Sequence, residues 1–180
     1  MNTKQNSSQP HPQHEDSNRS AGHSDAIALR LRRILVTTDL AEISNYLIPR
    51  AYSILEREGV LCLTTVVHPH QLPRGEYLQG PADSAFRTAH AEYILACEAQ
   101  LRALVPHSAL SESNRTSIEI TEHSDAAEGI CLAAERFNAD VICVSTHGRS
   151  GLSKALLGSV AQKLLTITKR PVLVFPIQHG

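Results

Sequence analysis

The chain lacks any excess of charge and any long apolar run. Among its 180 residues, 17 Lys and Arg stand against 18 Asp and Glu, for a formal net charge of -1 and a pI near 6.8. Without a basic stripe or a charge block, nothing draws it to nucleic acid or to a membrane surface, and neither is expected as a partner. No apolar stretch approaches the roughly 18 residues that a membrane-crossing helix needs. The first residues are polar and carry no apolar segment of a secretory leader, so a cytoplasmic location is expected. Cysteine is sparse: Cys62, Cys97, Cys131 and Cys143 are widely spaced, sit in apolar segments and form no C-x-x-C. They read as buried, reduced thiols rather than disulfides or metal ligands. Two phosphate motifs are also missing. No Gly-Lys-Ser/Thr is present, because Ser159 follows Gly158 directly, and the glycine loop is not G-x-G-x-x-G and does not follow the first strand. A lysine-and-magnesium phosphoryl-transfer site and a nicotinamide enzyme are both poorly supported.

The most informative stretch is Val141–Leu173, VICVSTHGRSGLSKALLGSVAQKLLTITKRPVL. A short apolar strand runs into a polar, glycine-containing loop that ends at Gly158-Ser159, where a helix should begin. Strand, glycine loop and helix N-terminus in that order suit an anion or phosphate, because the first N–H groups of a helix have no intrahelical acceptor and carry a partial positive charge. Gly148 and Gly158 would let the backbone turn with positive φ and let a ligand come close to bare N–H groups. Ser159 is a good N-cap, and Ser159 with Gln162 has capping-box spacing. The plainer alternative stays open: Gly158-Ser159 only starts a helix, and Gly148 only closes a turn.

Within a tail bounded at 1–28, residues 1–25 are rich in Asn, Gln, Ser, His and Pro and nearly free of aliphatic side chains. Such a segment buries too little apolar surface to offset its ordering entropy and is expected to be a disordered tail before a folded domain over 29–180. His11, His14 and His23 fit no defined metal spacing. Ile34–Thr38 is a short β-rich run ending at Asp39. A helix is expected from about Ser44 to Glu58, kinked or delayed by Pro49 and ended by Gly59. Val60–Val67 reads as a second buried strand, followed by a loop from His68 to Pro81. The spacing of Phe86, Ala89, Tyr93, Cys97, Leu101 and Leu104 predicts a helix over about Asp83–Val105, stopped by Pro106. Thr116–Glu122 alternates, with Ile118 and Ile120 on one side, as an edge strand would. Ser124 can cap the next helix, which carries Ile130, Ala133, Ala134 and Phe137 inward. Ala139–Ser145 is the fourth strand, the helix after the loop runs from Ser159 to about Thr168, and Val172–Ile177 is the last strand. Strands alternating with helices call for a three-layer α/β/α fold around a parallel sheet.

In such a sheet, ligands sit beyond the strand C-termini where the strand order reverses. With the order 3-2-1-4-5, the reversal falls between strands one and four, whose ends carry Asp39 and the loop Ser145–Gly148. Asp39 there can accept hydrogen bonds from ribose hydroxyls or an adenine amine, or it can simply stabilise the turn. Arg149 and Lys154 can neutralise phosphates or stand in solvent. His147 hydrogen-bonds the loop or faces water; no positioned nucleophile or general base is evident, so no catalytic residue is assigned.

The segments ILVTTDLAE, AERFNADVICVSTHGRSGLSKALLGSVAQKLL and RPVLVFPI resemble the universal stress protein (UspA) family, over roughly Arg32 to Ile177. The resemblance implies a Rossmann-like, five-stranded parallel α/β fold of order 3-2-1-4-5, usually dimeric. In the ATP-binding branch the loop after the fourth strand reads Gly-x2-Gly-x9-Gly-Ser/Thr. Here Gly148 holds the second glycine position, with Gly158 and Ser159 in register, while Ser145 stands at the first. Family adenosine contacts carry over to Asp39, Val66, Val144 and Val160. The nucleotide-binding set implied is Thr38, Asp39, Val66, Val144, Ser145, His147, Gly148, Arg149, Gly158, Ser159 and Val160, with ATP or AMP, and Mg2+ entering with ATP, as the ligand. The family commonly follows the first-strand Asp with an apolar residue and then Ser-Glu; this chain has Asp39-Leu40-Ala41-Glu42. The resemblance also implies a homodimer through the last strand, whose apolar edge calls for a cover.

Three functions compete on these residues. One is an ATP- or AMP-binding regulatory module of a stress response, without efficient catalysis, based on Asp39 and the Gly148–Gly158-Ser159 spacing. A second is a nucleotide-free dimeric stress or interaction protein, based on Ser145. The third is a weak ATP hydrolase, based only on Ser159 and His147.

Overall fold

In the computed structural model, residues 30–69, 81–110, 115–146 and 157–176 are described. The tail over 1–28, the loop residues His147, Gly148, Arg149 and Lys154, most of the His68–Pro81 loop and Ile177 lie outside them.

Five strands form one sheet: β1 (Arg33–Thr37), β2 (Val60–Val67), β3 (Thr116–Glu122), β4 (Val141–Ser145) and β5 (Val172–Phe175). Their order is β3-β2-β1-β4-β5, and every neighbouring pair is parallel. The order therefore reverses between β1 and β4. Leu35 sits at the centre, opposite Cys62 of β2 and Ile142 of β4.

Successive strand residues point to opposite faces, so the run Ile34-Leu35-Val36 feeds two cores at once. Leu35, Cys62, Ile142 and Val144 pack beneath α5 (Ala126–Phe137) and α6 (Ser159–Ile167). Ile34, Val36, Leu61, Leu63, Val141 and Cys143 pack against α2 (Leu47–Ile54) and the end of α3 (Pro81–Ala103). Helices thus cover both faces, the three-layer α/β/α arrangement that the alternation of elements implied. No helix among the described residues is long and apolar enough to cross a membrane.

The helices depart from the sequence expectation at several points. The helix expected over Ser44–Glu58 is two pieces, α1 (Glu42–Asn45) and α2, which meet at Tyr46. Of the two alternatives at Pro49, the later start holds: α2 begins at Leu47, and Pro49 falls in its first turn, where an N–H has no intrahelical partner to lose. The helix stops at Ile54 rather than at Gly59, and Gly59 closes a turn by donating to Glu56 O at 2.8 Å. A Cβ on Gly59 would stand 2.9 Å from Arg32 O, so the close approach of β1 and β2 needs glycine here.

The apolar face expected on α3 is buried only in its second half. Cys97 and Leu101 are buried, whereas Ala89 and Tyr93 are exposed. Length contributes to this. A helix of 23 residues rises about 34 Å at 1.5 Å per residue, while the 8 residues of β2 span only about 26 Å. The excess of about 8 Å leaves about the first five residues of α3 beyond the length of β2. A short helix, α4 (His107–Leu110), follows Pro106, where the sequence carries no helical period.

Two caps stand one residue away from the expected position. Asp125, not Ser124, caps α5, accepting the Glu128 N–H at 3.0 Å. Gly158, not Ser159, is the N-cap of α6, with no side-chain capping bond. Gln162 N donates to Gly158 O at 2.9 Å, which begins the α6 ladder one residue earlier than a Ser159 cap would. β3 follows the expected bounds, and Ile118 and Ile120 pack half-buried on the α3 side.

Candidate functional site

A cavity of about 300 Å³ opens at the reversal between β1 and β4. Its walls come from five places in the chain. Thr37, Thr38 and Asp39 come from the end of β1, and Val66 from the end of β2. Ala126 and Ile130 come from α5, Val144–Thr146 from β4 and its exit, and Gly158–Ala161 from the start of α6. Of the residues singled out in the sequence, Thr38, Asp39, Val66, Val144, Ser145, Gly158, Ser159 and Val160 meet here. His147, Gly148 and Arg149 lie outside the described residues.

The β1 end is built by a hydrogen-bonded turn. Asp39 Oδ1 accepts the Ala41 N–H at 3.1 Å and the Ser44 hydroxyl at 2.6 Å. Thr38 Oγ1 accepts the Leu40 N–H at 3.0 Å, lies 2.9 Å from Ser44 Oγ and donates to Asn45 Oδ1 at 2.7 Å. Leu40 between them adopts φ 65, a left-handed conformation that costs a non-glycine residue about 1–2 kcal/mol. The bonds from Thr38 and Asp39 hold that turn. Asp39 therefore fills the turn role that the sequence left open while also standing on the cavity wall, so the two readings are compatible.

The opposite rim is the entrance to α6. Gly158 has φ -60 and ψ 153, ordinary extended backbone, so its conformation does not require glycine. Its N–H donates to Thr146 O at 2.6 Å, and Thr146 N donates to Phe175 O at 3.0 Å. The expectation of a positive φ and a bare amide at Gly158 is thus corrected: the amide ties the start of α6 to the end of β4. The N–H groups suited to an anion are instead those of Ser159, Val160 and Ala161, which precede the first bond of the helical ladder from Gln162. The Tyr46 hydroxyl donates to the same Phe175 carbonyl, and its burial raises the phenol above its ordinary range. These bonds connect the β1 turn, the β4 exit and β5 around the cavity.

The walls are mostly apolar: Val66, Ala126, Ile130, Val144, Val160 and Ala161. Thr37, Thr38, Asp39, Ser145, Thr146 and Ser159 supply the polar side chains. Ser145 lines the cavity and is buried, at 8 % exposure. Among the described residues, Asp39 is the only acidic one on the wall, and no group of three or more His, Cys, Asp or Glu could hold a metal ion.

Behind the wall, Lys163 Nζ binds Asp125 Oδ2 at 2.8 Å and Glu128 Oε1 at 2.9 Å, joining α6 to α5. The hydrogen bond from Lys163, then the Glu128 N–H, hold the Asp125 carboxyl below its ordinary range; hydrogen bonds to Asp125 and Glu128 raise Lys163.

Sequence reasoning missed five wall residues: Thr37, Ala126, Ile130, Thr146 and Ala161. The helical period already puts Ile130 on the inward face of α5, and Ala126 lies one turn before it, so period alone could have carried both to the wall. Thr37 follows Leu35 on the same strand face by the two-residue period. Thr146 and Ala161 carry no such signal, since only the fold brings them together.

Fold and site together define the class: a doubly wound parallel α/β protein with its crevice at the topological switch point. Residues 30–176 match the Universal stress protein family, and the chain belongs to that family. The fold resembles that of the hypothetical protein MJ0577, at 18% identity and a TM-score of 0.63 over 83% of this chain and 99% of that one. It also resembles the universal stress protein UspA from Lactobacillus plantarum, at 20% identity and a TM-score of 0.59 over 81% and 98%. A third similar structure is a universal stress protein family member from Burkholderia pseudomallei, at 20% identity and a TM-score of 0.55 over 83% and 98%. No curated protein sequence matches significantly.

Proposed function

We propose that this universal stress protein binds an adenine nucleotide, ATP or AMP, as a regulatory module without efficient catalysis. The observation that carries this reading is the cavity between β1 and β4. Its volume of about 300 Å³ falls at the lower end of the range for small-molecule sites. Valine, isoleucine and alanine side chains form faces against which a purine can pack. Asp39 and Thr38 stand where ribose hydroxyls or an adenine amine can be met, and the first N–H groups of α6 face where phosphate oxygens would lie. His147, Gly148 and Arg149 belong to the same proposed set. Mg2+ would enter on the phosphates of ATP, since Mg2+ keeps most of its waters and needs few protein ligands. The protein is further proposed to act in the cytoplasm and to dimerise through β5, which ends the sheet.

One observation favours a second reading, a nucleotide-free interaction protein: Ser145, at a position where the nucleotide-binding pattern has glycine, lines the cavity. The two readings separate on one experiment. Protein purified from cells is denatured, its extract is resolved by chromatography, and the stripped protein is titrated with ATP and AMP by calorimetry. Co-purifying adenine nucleotide, or saturable binding, supports the first reading. Absence of both from folded protein leaves the second.

A further inference from the structure

Glycine in a helix interior is unfavourable, yet α5 carries Gly129 at its fourth position, buried. A Cβ built there would stand 2.7 Å from Val66 Cγ1, 3.0 Å from Val66 Cγ2 and 3.0 Å from His123 Cβ. The glycine thus lets α5 seat directly on the side chain of Val66. Val66 lines the cavity, and so do Ala126 and Ile130 on either side of Gly129 in the helix. We propose that Gly129 is a positioning residue, whose missing side chain lets Val66 stand back from the cavity and so sets the space left for the ligand's apolar part.

The helix cannot easily yield instead. Lys163 ties the Asp125 and Glu128 carboxylates of α5 to α6. Asp125 N donates to His123 Nδ1 at 3.0 Å, which holds the approach to the helix. Below, Ala127, Ile130, Ala133 and Ala134 are buried against the sheet. Val66 sits at the end of β2 beside open volume. Both of its methyl groups lie against Gly129, so an added Cβ turns or pushes Val66, and the space available to it is the cavity.

In its ligand the inference rests on the adenine-nucleotide reading; in its geometry it does not. The test therefore has two arms, both on the full chain. In the first, methyl resonances of Val66 are compared by NMR between wild type and Gly129→Ala without nucleotide. Displaced Val66 resonances, with distant core methyls such as those of Leu101 unmoved, are expected; unmoved Val66 resonances in a folded variant overturn the proposal. In the second, adenosine and ATP are titrated into wild type, Gly129→Ala, Val66→Ala and the double variant. Gly129→Ala is expected to bind at least tenfold more weakly. The double variant, with the displaced methyls removed, should return to within about threefold of Val66→Ala. A double variant that stays as weak as Gly129→Ala counts against the mechanism. If wild type binds neither ligand, the nucleotide reading falls and the NMR arm still decides the role of Gly129. If Gly129→Ala does not fold, Gly129→Ser in the Val66→Ala background takes its place, with failure to fold there overturning the proposal.

Discussion

Ser44 Oγ donates to Asp39 Oδ1 at 2.6 Å, across the turn that leaves β1. The sequence has alanine at position 41, where serine would match the family pattern, and the hydroxyl that reaches Asp39 comes from one turn further on. Ser44 is buried, and the Leu40 backbone is held in its left-handed conformation between the two.

This pair separates the two duties of Asp39. Ser44→Ala removes one buried hydroxyl and should destabilise the fold by about 1 kcal/mol, with affinity for adenosine nearly kept. Asp39→Ala removes the acceptor itself and should weaken adenosine binding by about 1–3 kcal/mol, the scale of a lost hydrogen bond to a charged group. Urea unfolding and calorimetry on both variants check this. Equal affinity in Asp39→Ala and wild type would leave Asp39 as a turn residue alone.

At the opposite rim, Gly158→Val should fold normally, because φ -60 and ψ 153 are open to any residue. Its side chain would stand beside the α6 N–H groups proposed to receive phosphate. Nucleotide affinity should fall at least tenfold by calorimetry while the circular dichroism spectrum is retained; unchanged affinity would remove α6 from the proposed site.

Ser145→Gly tests the departure from the glycine pattern. If the buried hydroxymethyl group narrows the cavity, the variant should bind nucleotide more tightly than wild type. Weaker or equal binding would show that serine is accommodated.

The carboxyl of Asp125 gives the acid dependence its sign. Its folded value lies below the ordinary 3.8. A depressed carboxylate stabilises the fold above its unfolded value, and that contribution is lost as pH falls through the folded one. Melting curves from pH 5 downward should therefore show a steeper loss for wild type than for Asp125→Asn. Parallel curves would mean that Lys163 and the Glu128 N–H leave Asp125 no more acidic than in the unfolded chain.

Thiol reactivity should follow burial. Burial pushes Cys143 up to about 12 and Cys62 to about 11, whereas Cys131, also raised by burial, is only half-buried. Alkylation of native protein at pH 8, read by peptide mass spectrometry, should mark Cys131 ahead of both. Early modification of Cys143 would contradict the packing of β4.

Much of the fold is legible in the order of residues. Apolar runs such as Ile34–Val36 and Val60–Val67 lack strict alternation, which is what burial on both faces produces, and their alternation with helical periods implies a parallel sheet. Helix ends are legible only to within a few residues. Ser124 and Asp125 are both capable caps, and Ser159 is a better cap by type than Gly158; which residue takes the position depends on where the preceding strand delivers the chain. The exposed half of α3 is hidden for a different reason: periodicity reports a face, and says nothing of whether a strand lies beneath it.

Residue types and their order alone determined the alternating architecture, the two-faced strands, and the concentration of polar and glycine residues at strand ends. Tertiary structure alone decided that the Gly158 amide is engaged by Thr146, that Ser44 reaches Asp39, and that Gly129 seats α5 on Val66. The physical reason is that hydrophobic period is carried by neighbours a few residues apart, whereas a cavity is the space left when segments distant in the chain pack, and its dimensions follow from atomic contacts between them.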